Sequence, residues 1–410
     1  MALAPLDETR TAILGAVAPL PAVDVPLADA VGLVLASDVV ADEPVPPFAN
    51  TAMDGYAVRA ADTAGASADA PVRLHVVGEL PAGRAPTTPV GDGEAIRIMT
   101  GAPMPDGADA IVMVERTQRD GDDGVLVGAV ATTGDHVRRP GGDLEAGEVA
   151  FAAGTVLGPA HVGVLASIGA ATVHVHRRAR VGVLSTGDEL VPIDGGALAP
   201  GQIRDSNRPM LVALARDAGT DVVDLGLARD DEDFIVGVLE QAFATCDAVL
   251  TSGGVSVGDY DYVKAALDRF GALEWRQVAI KPAKPLAFGV VQGVPVFGLP
   301  GNPVSSLVSF ELFARPALRR MMGYDAVRRP EVTARAAHPF RRRPDGKIHL
   351  DRVRVEWQDR DGWTGYVAAS TGDQSSNVLS ATAAANAFAL IPDGDGLAEG
   401  DDVTVMLLSD

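Results

Sequence analysis

Residues 247–261 read DAVLTSGGVSVGDYD. An apolar run ends in small polar residues and glycines, and an acidic segment opens a helical pattern, so the stretch reads as strand, tight turn and helix. Two other segments share this grammar: VGVLSTGDEL at 181–190 and VPVFGLPGNPVSS at 294–306. Parallel strands in one sheet would open all three turns on the same edge, where open α/β sheets bind ligands. Glycine lets the backbone approach a ligand closely, and the neighbouring amides and hydroxyls donate to phosphate or carbonyl oxygens. The turn is neither a dinucleotide-binding GxGxxG nor a P-loop. A single such turn reads equally as a bare tight bend; three of them point to a site for a phosphorylated organic ligand.

Working outward, residues 179–322 alternate strand and helix patterns, the mark of a largely parallel sheet covered on both faces. Asp205, Ser206 or Asn207 can cap one helix, Asp230 and Asp231 precede the next, and Asn302 can cap a third. Residues 6–17 and 160–169 read as helices, and 26–40 as a helix running into a short extended piece. From 71 to 151 short strands separated by Gly and Pro indicate an inserted β-domain. Strand-like segments from 331 to 410 indicate a small barrel or sandwich. The expected divisions are a discontinuous helical linking domain (1–45 and 144–176), a β-rich insertion (46–143), an α/β domain (177–324) and a C-terminal β-barrel-like domain (325–410). The fold class is therefore multidomain α/β and β, with a central, mostly parallel, three-layer α/β/α domain.

The 410-residue chain is 47% hydrophobic, enough for several cores. Its 55 acidic against 34 basic residues give a net charge of −21, which argues against nucleic-acid binding and demands local donors for any bound anion. The one cysteine, Cys246, excludes an intrachain disulfide and a cysteine zinc cluster. It precedes a buried strand and reads as a core thiol. No signal-peptide pattern or bilayer-length apolar run is seen, so a cytoplasmic protein is expected. His174 and His176 share one face of a strand but lack a nearby third ligand, so a domain junction is the better reading.

The chemistry-bearing groups gather at predicted strand ends. Asp188 and Glu189, Asp230 and Asp231, and Asp259 and Asp261 are each ordinary as caps; converging on one crevice they can hold Mg2+ through oxygen ligands or position a water. Lys281 and Lys284 in IKPAKP lie between restraining prolines and read either as solvated edge charges or as an anion clamp. Asp54 reads as a turn residue before a strand. The residues alone lead to metal-assisted chemistry on an anionic, phosphorylated small molecule.

At this point the chain resembles the molybdopterin molybdenumtransferase family, the molybdenum insertases. The resemblance rests on PPFANTAMDGYAVR (46–59), IRIMTGAPMPDGADAIVMVE (96–115), VRRPGGD (137–143), VGVLSTGDEL (181–190), GQIRDSNR (201–208), RDD (229–231), TSGGVSVGDYDYVK (251–264), IKPAKPLAFG (280–289) and GLPGNPVSS (298–306). It implies an elongated homodimer that takes adenylylated molybdopterin and molybdate, hydrolyses the adenylyl anhydride with Mg2+, and releases molybdenum cofactor and AMP. A molybdopterin adenylyltransferase is the implied pathway partner. Asp54, Thr100 and Asp143 of one subunit would complete the partner's cleft. Glu189, Asp230, Asp261, Lys281, Lys284 and Ser305 would serve from the α/β side, with Glu189 and Asp261 on metal or water. Ser252, Gly253, Gly254 and Ser256 would cradle the pterin phosphate region, beside Pro300, Gly301 and Asn302. The chain departs from the family pattern at Pro140 and Gly142, and Pro140 removes an amide donor there. The alternatives are a tungsten-preferring insertase, a molybdopterin adenylyltransferase and a non-enzymatic pterin-binding scaffold. The β-insertion, the 51–59 segment and the C-terminal β-domain argue against the adenylyltransferase.

Overall fold

A computed structural model describes residues 3–253, 262–271, 273–360 and 363–409. The expected site residues Gly254, Ser256 and Asp261 lie outside them. The chain divides into two compact units, one of Met1–Val23, Gly32–Ala36 and His174–Asp410, the other of Asp24–Val31 and Ser37–Val173.

The second unit is built on a six-stranded sheet, in the order Ala110–Met113, Gly55–Val58, Glu94–Ile98, Val72–Leu80, Gly124–Val127, Thr117–Asp120. Strand alternation gives each face its own core: Tyr56, Val58, Leu74 and Val125 on one, Ala57, Ile96, Ile98 and Ile111 on the other. Segments flanking the insertion meet, Val39–Val40 pairing with Val149–Phe151 and Asn50–Thr51 with Val137–Arg138. The helix expected over 160–169 forms as Pro159–Ser167. The helix expected within 26–40 does not form. Leu27–Asp29 makes one 3-10 turn, and Val34–Leu35 and Val39–Val40 are strands. Gly32 takes a φ of 82°, and the valines that follow suit strands better than helix.

The α/β part of the first unit has strands β1 (Arg180–Thr186), β2 (Asp221–Ala228), β3 (Ala248–Ser252), β4 (Leu273–Gln277), β5 (Pro285–Val291) and β6 (Val294–Leu299). Their order is β2-β1-β3-β6-β5-β4. The first four strands in that order are parallel, and β5 and β4 are antiparallel additions. Helix α1 (Asn207–Asp217) covers one face, with Leu211 and Ala215 packed on Val181, Val183, Leu250 and Phe297. Helices α2 (Glu232–Thr245) and α3 (Tyr262–Asp268) cover the other through Ile235, Leu239, Val263 and Leu267. Each fully buried Leu or Ile in these layers contributes roughly 1.5–3 kcal/mol relative to exposure.

After β6, helix Pro303–Ser309 runs through a π-turn, Phe310–Ala314, into Arg315–Met321. The π-turn carries buried Glu311, which accepts from Arg329 Nε at 3.0 Å; Arg329 also reaches Asp217 at 2.7 Å. The C-terminal barrel closes through Ile348–Arg360, Trp363–Ser370, Glu331–Ala336, Asp402–Leu407 and Ala387–Ile391, the last pairing back to the first. Strand Ile280–Lys281 joins this sheet, so the IKPAKP loop leaves the α/β core along the barrel.

Candidate active site

The strand order reverses between β1 and β3, so a crevice opens at their carboxyl ends. The three glycine turns do meet there. Gly253 N–H donates to Leu299 O at 3.2 Å. Asn207 Nδ2 donates to Ser252 Oγ at 2.8 Å and to Gly301 O at 2.6 Å. Gly253 holds a φ of 92°, and a Cβ there would sit 2.9 Å from Thr186 O. Ser252 is buried with its hydroxyl on Asn207, while Gly301 and Asn302 are exposed and Pro300 is buried. Asn302 occupies an N-cap position without a side-chain cap bond. Asp205 is the buried hub beneath the edge, accepting from Ser185 Oγ at 3.2 Å and Arg208 Nε at 2.9 Å.

Beside these turns lies the acidic group. Asp231 is spent as a cap, accepting from Phe234 N–H at 2.9 Å. Asp188 and Asp230 cross-bond, each N–H donating to the other's carboxylate at 3.3 Å. Burial first, then the charges of Asp188 and Glu189, push the Asp230 carboxyl above its ordinary value, although the Asp188 N–H opposes this. Like charges held together in this way, with oxygen donors only, fit a hard divalent cation such as Mg2+. Among the described residues no group of three or more His, Cys, Asp or Glu is arranged to hold a metal.

Lys281 and Lys284 are exposed and face a cleft of about 830 Å³ whose far wall is the C-terminal barrel. Buried Ser305 lies on the near side; Arg341, Arg343 and Lys347 add cations from the far side. Among the described residues neither Lys281 nor Lys284 has a carboxylate within salt-bridge range. Between them Ala283 takes a φ of 72°, the kind of local strain that clusters at functional sites. The loop at 373–376 forms one rim. It is tied to the barrel by Arg352 Nη2 donating to Asp373 O at 2.7 Å, and to the helix after Asn302 by Val304 N–H donating to Ser376 O at 3.3 Å. Arg352 is fully buried, with Nε and Nη1 lacking a hydrogen-bond partner. Residues 373–376 thus line a cleft of their own chain. Residues 341–352 and 373–376 escaped the sequence reading, although strand alternation puts Lys347, His349 and Asp351 on one face.

In the other unit Thr100 N–H and Oγ1 both donate to Asp54 Oδ1 at 2.7 Å, and these two bonds hold the Asp54 carboxyl below its ordinary value. Gly55 follows because a Cβ there would run into the Val112 carbonyl. Asp143 is exposed and fixed through its main chain, its N–H donating to Val45 O at 2.9 Å. Of the histidine pair, His176 packs within its own unit, its Nδ1 3.1 Å from Leu20 O and its ring covering Gly323.

A doubly wound α/β domain with an acidic switch-point crevice, a cation-lined cleft against a barrel and a β-insertion define a multidomain protein for anionic ligands. Comparison with known proteins makes this specific. Residues 4–169 match the MoeA N-terminal region (domain I and II), 182–320 the probable molybdopterin binding domain, and 333–408 the MoeA C-terminal region (domain IV). Molybdopterin molybdenumtransferase 2 of Mycobacterium tuberculosis is 44% identical over 90% of this chain and 91% of its own. The molybdopterin molybdenumtransferase of Haemophilus influenzae is 35% identical over 92% of each. The solved molybdopterin biosynthesis MoeA protein of Pyrococcus horikoshii superposes with a TM-score of 0.82 at 31% identity, covering 99% of this chain and 100% of that one. The chain belongs to the molybdopterin molybdenumtransferase family.

Proposed function

We propose that the chain inserts molybdate into adenylylated molybdopterin, releasing molybdenum cofactor and AMP. The observation that carries the chemistry is the pair of exposed lysines, with no carboxylate in salt-bridge range among the described residues, in a cleft that Arg341, Arg343 and Lys347 line together with Asp345, Asp351 and Asp373. Lys281 and Lys284 hold the oxyanion by charge-assisted hydrogen bonds, and Ser305 adds a hydroxyl. The Gly301 and Asn302 N–H groups of the Pro300–Gly301–Asn302 turn seat the pterin phosphate, with Ser252 and Gly253 forming the adjoining turn. Asp188, Glu189 and Asp230 would hold Mg2+, which supplies charge neutralisation at the anhydride. On the family pattern Gly254 and Ser256 join the turns at the pterin phosphate, and Asp261 joins Glu189 on the metal. Asp54, Thr100 and Asp143 would be contributed to the site of a partner subunit in a homodimer. A molybdopterin adenylyltransferase supplies the substrate, and the four-part domain division and cytoplasmic location belong to the same proposal. Among the described residues no helix is long and apolar enough to cross a membrane.

The test is to titrate molybdate into the purified chain with adenylylated molybdopterin and Mg2+, following AMP and cofactor. AMP release that saturates with molybdate is expected. Release independent of molybdate, with no cofactor formed, contradicts the assignment. Tungstate in a parallel arm reports metal preference.

A further inference from the structure

We infer that His349 is a catalytic proton carrier for the oxyanion in the lysine cleft, an assignment that rests on the function proposed above. His349 pairs in register with Lys281 across the strands Ile280–Lys281 and Ile348–Arg360. Register partners project to the same side, about 5 Å apart. Both side chains line the cleft in which Lys281 is proposed to hold the oxyanion. His349 Nε2 lies 3.2 Å from Asp345 Oδ2 and 3.3 Å from Oδ1. That leaves Nδ1 for exchange in the cleft and gives a carboxylate-backed imidazole, the arrangement of a general acid–base.

The surrounding charges are laid out for this work. Asp345 accepts from Lys347 Nζ and Arg342 Nη2, each at 2.8 Å. The Lys347 bond, then the His349 contact, hold the Asp345 carboxyl down at about 2, so an anion stands behind the imidazole. Asp351, two residues along the strand, is pushed up by burial, with the charges of His349, Arg352 and Lys281 opposing. Arg342 is itself shared with Asp393 at 2.8 Å.

Molybdate needs a proton carrier for a stoichiometric reason. One oxo oxygen of the MoO4 dianion leaves as water while two Mo–S bonds form and the two S–H bonds of the pterin dithiol break. Both protons end on the departing oxygen, the product keeps two negative charges, and molybdenum stays at +6. No oxidant or reductant takes part. His349 donates a proton to the leaving oxygen and regains one from a thiol, while Lys281 holds the anion.

The experiment measures single-turnover cofactor formation in wild type, His349→Gln and His349→Ala. Loss of a proton carrier lowers the rate by about 100-fold, with molybdate affinity by equilibrium dialysis unchanged. H349Q keeps hydrogen-bonding capacity without a ring nitrogen to exchange a proton, so its rate falls with that of H349A. Added imidazole restores H349A. An active wild type whose folded H349Q variant keeps the wild-type rate overturns the assignment of His349. So does a folded H349A variant whose lost rate imidazole does not restore. A wild type that forms no cofactor overturns the function on which the assignment rests.

Discussion

Among the described residues no carboxylate lies within salt-bridge range of Lys281 or Lys284, the two charges proposed to hold the oxyanion. Each is exposed, so Lys284→Ala removes a charge-assisted hydrogen bond without opening a cavity. It is expected to raise the half-saturating molybdate concentration about 10–100-fold and leave the melting temperature unchanged, as read by molybdate titration beside thermal unfolding. Asp54 behaves in the opposite sense from Asp230. The Thr100 bonds depress its folded-state titration, so the stability they lend is present above the unfolded value and lost as pH falls through the folded one. Thr100→Val keeps the N–H donor and removes the hydroxyl, and NMR titration should find the Asp54 midpoint moved up toward its ordinary value near 3.8. An unmoved midpoint would show that the hydroxyl bond contributes nothing. Asp230 is raised, so its folded-state cost is absent below the unfolded value and grows as pH rises. Asp230→Asn should therefore melt higher than wild type at neutral pH, and Mg2+ should stabilise wild type more than this variant.

At the scale of elements, the edge depends on how turns are pinned to one another. Asp231→Ala takes the cap from helix Glu232–Thr245, which costs about 1 kcal/mol and lowers the melting temperature by about 2–4 °C. Equal melting curves would contradict the capping account. The glycine turns and IKPAKP were legible because glycine, proline and unpaired lysine in short runs have few structural uses. The helix misread over 26–40 failed for the converse reason: its apolar spacing fits both periods, and Gly32 with its neighbouring valines decided the outcome. Alternation made the Lys347, His349 and Asp351 face readable in principle. The pairing of Ile348–Arg360 with Ile280–Lys281 was not, because register between segments some 70 residues apart leaves no local signal. The same limit hid Asn207, whose amide fastens two turns from distant parts of the chain.

At the scale of the molecule, buried Glu311 in the π-turn, Arg329 ahead of the barrel strand Glu331–Ala336 and Asp217 at the end of helix α1 form one ion-pair group. Glu311→Ala leaves Arg329 with Asp217 and removes a buried charge-assisted bond, so it is expected to cost about 1–3 kcal/mol in denaturant unfolding, and a loss near zero would show that the bond is dispensable. The proposed homodimer makes its own forecast, a solution mass of twice 42.2 kDa by light scattering. The account as a whole stands on molybdate being consumed in the lysine cleft. The most direct measurement is AMP and cofactor formed in one turnover from adenylylated molybdopterin, with wild type and Lys281→Ala side by side. The account predicts AMP and cofactor rising together with molybdate in wild type, and far higher molybdate needed by K281A. A folded wild type that yields neither product, or a K281A variant with the wild-type molybdate dependence, would contradict it.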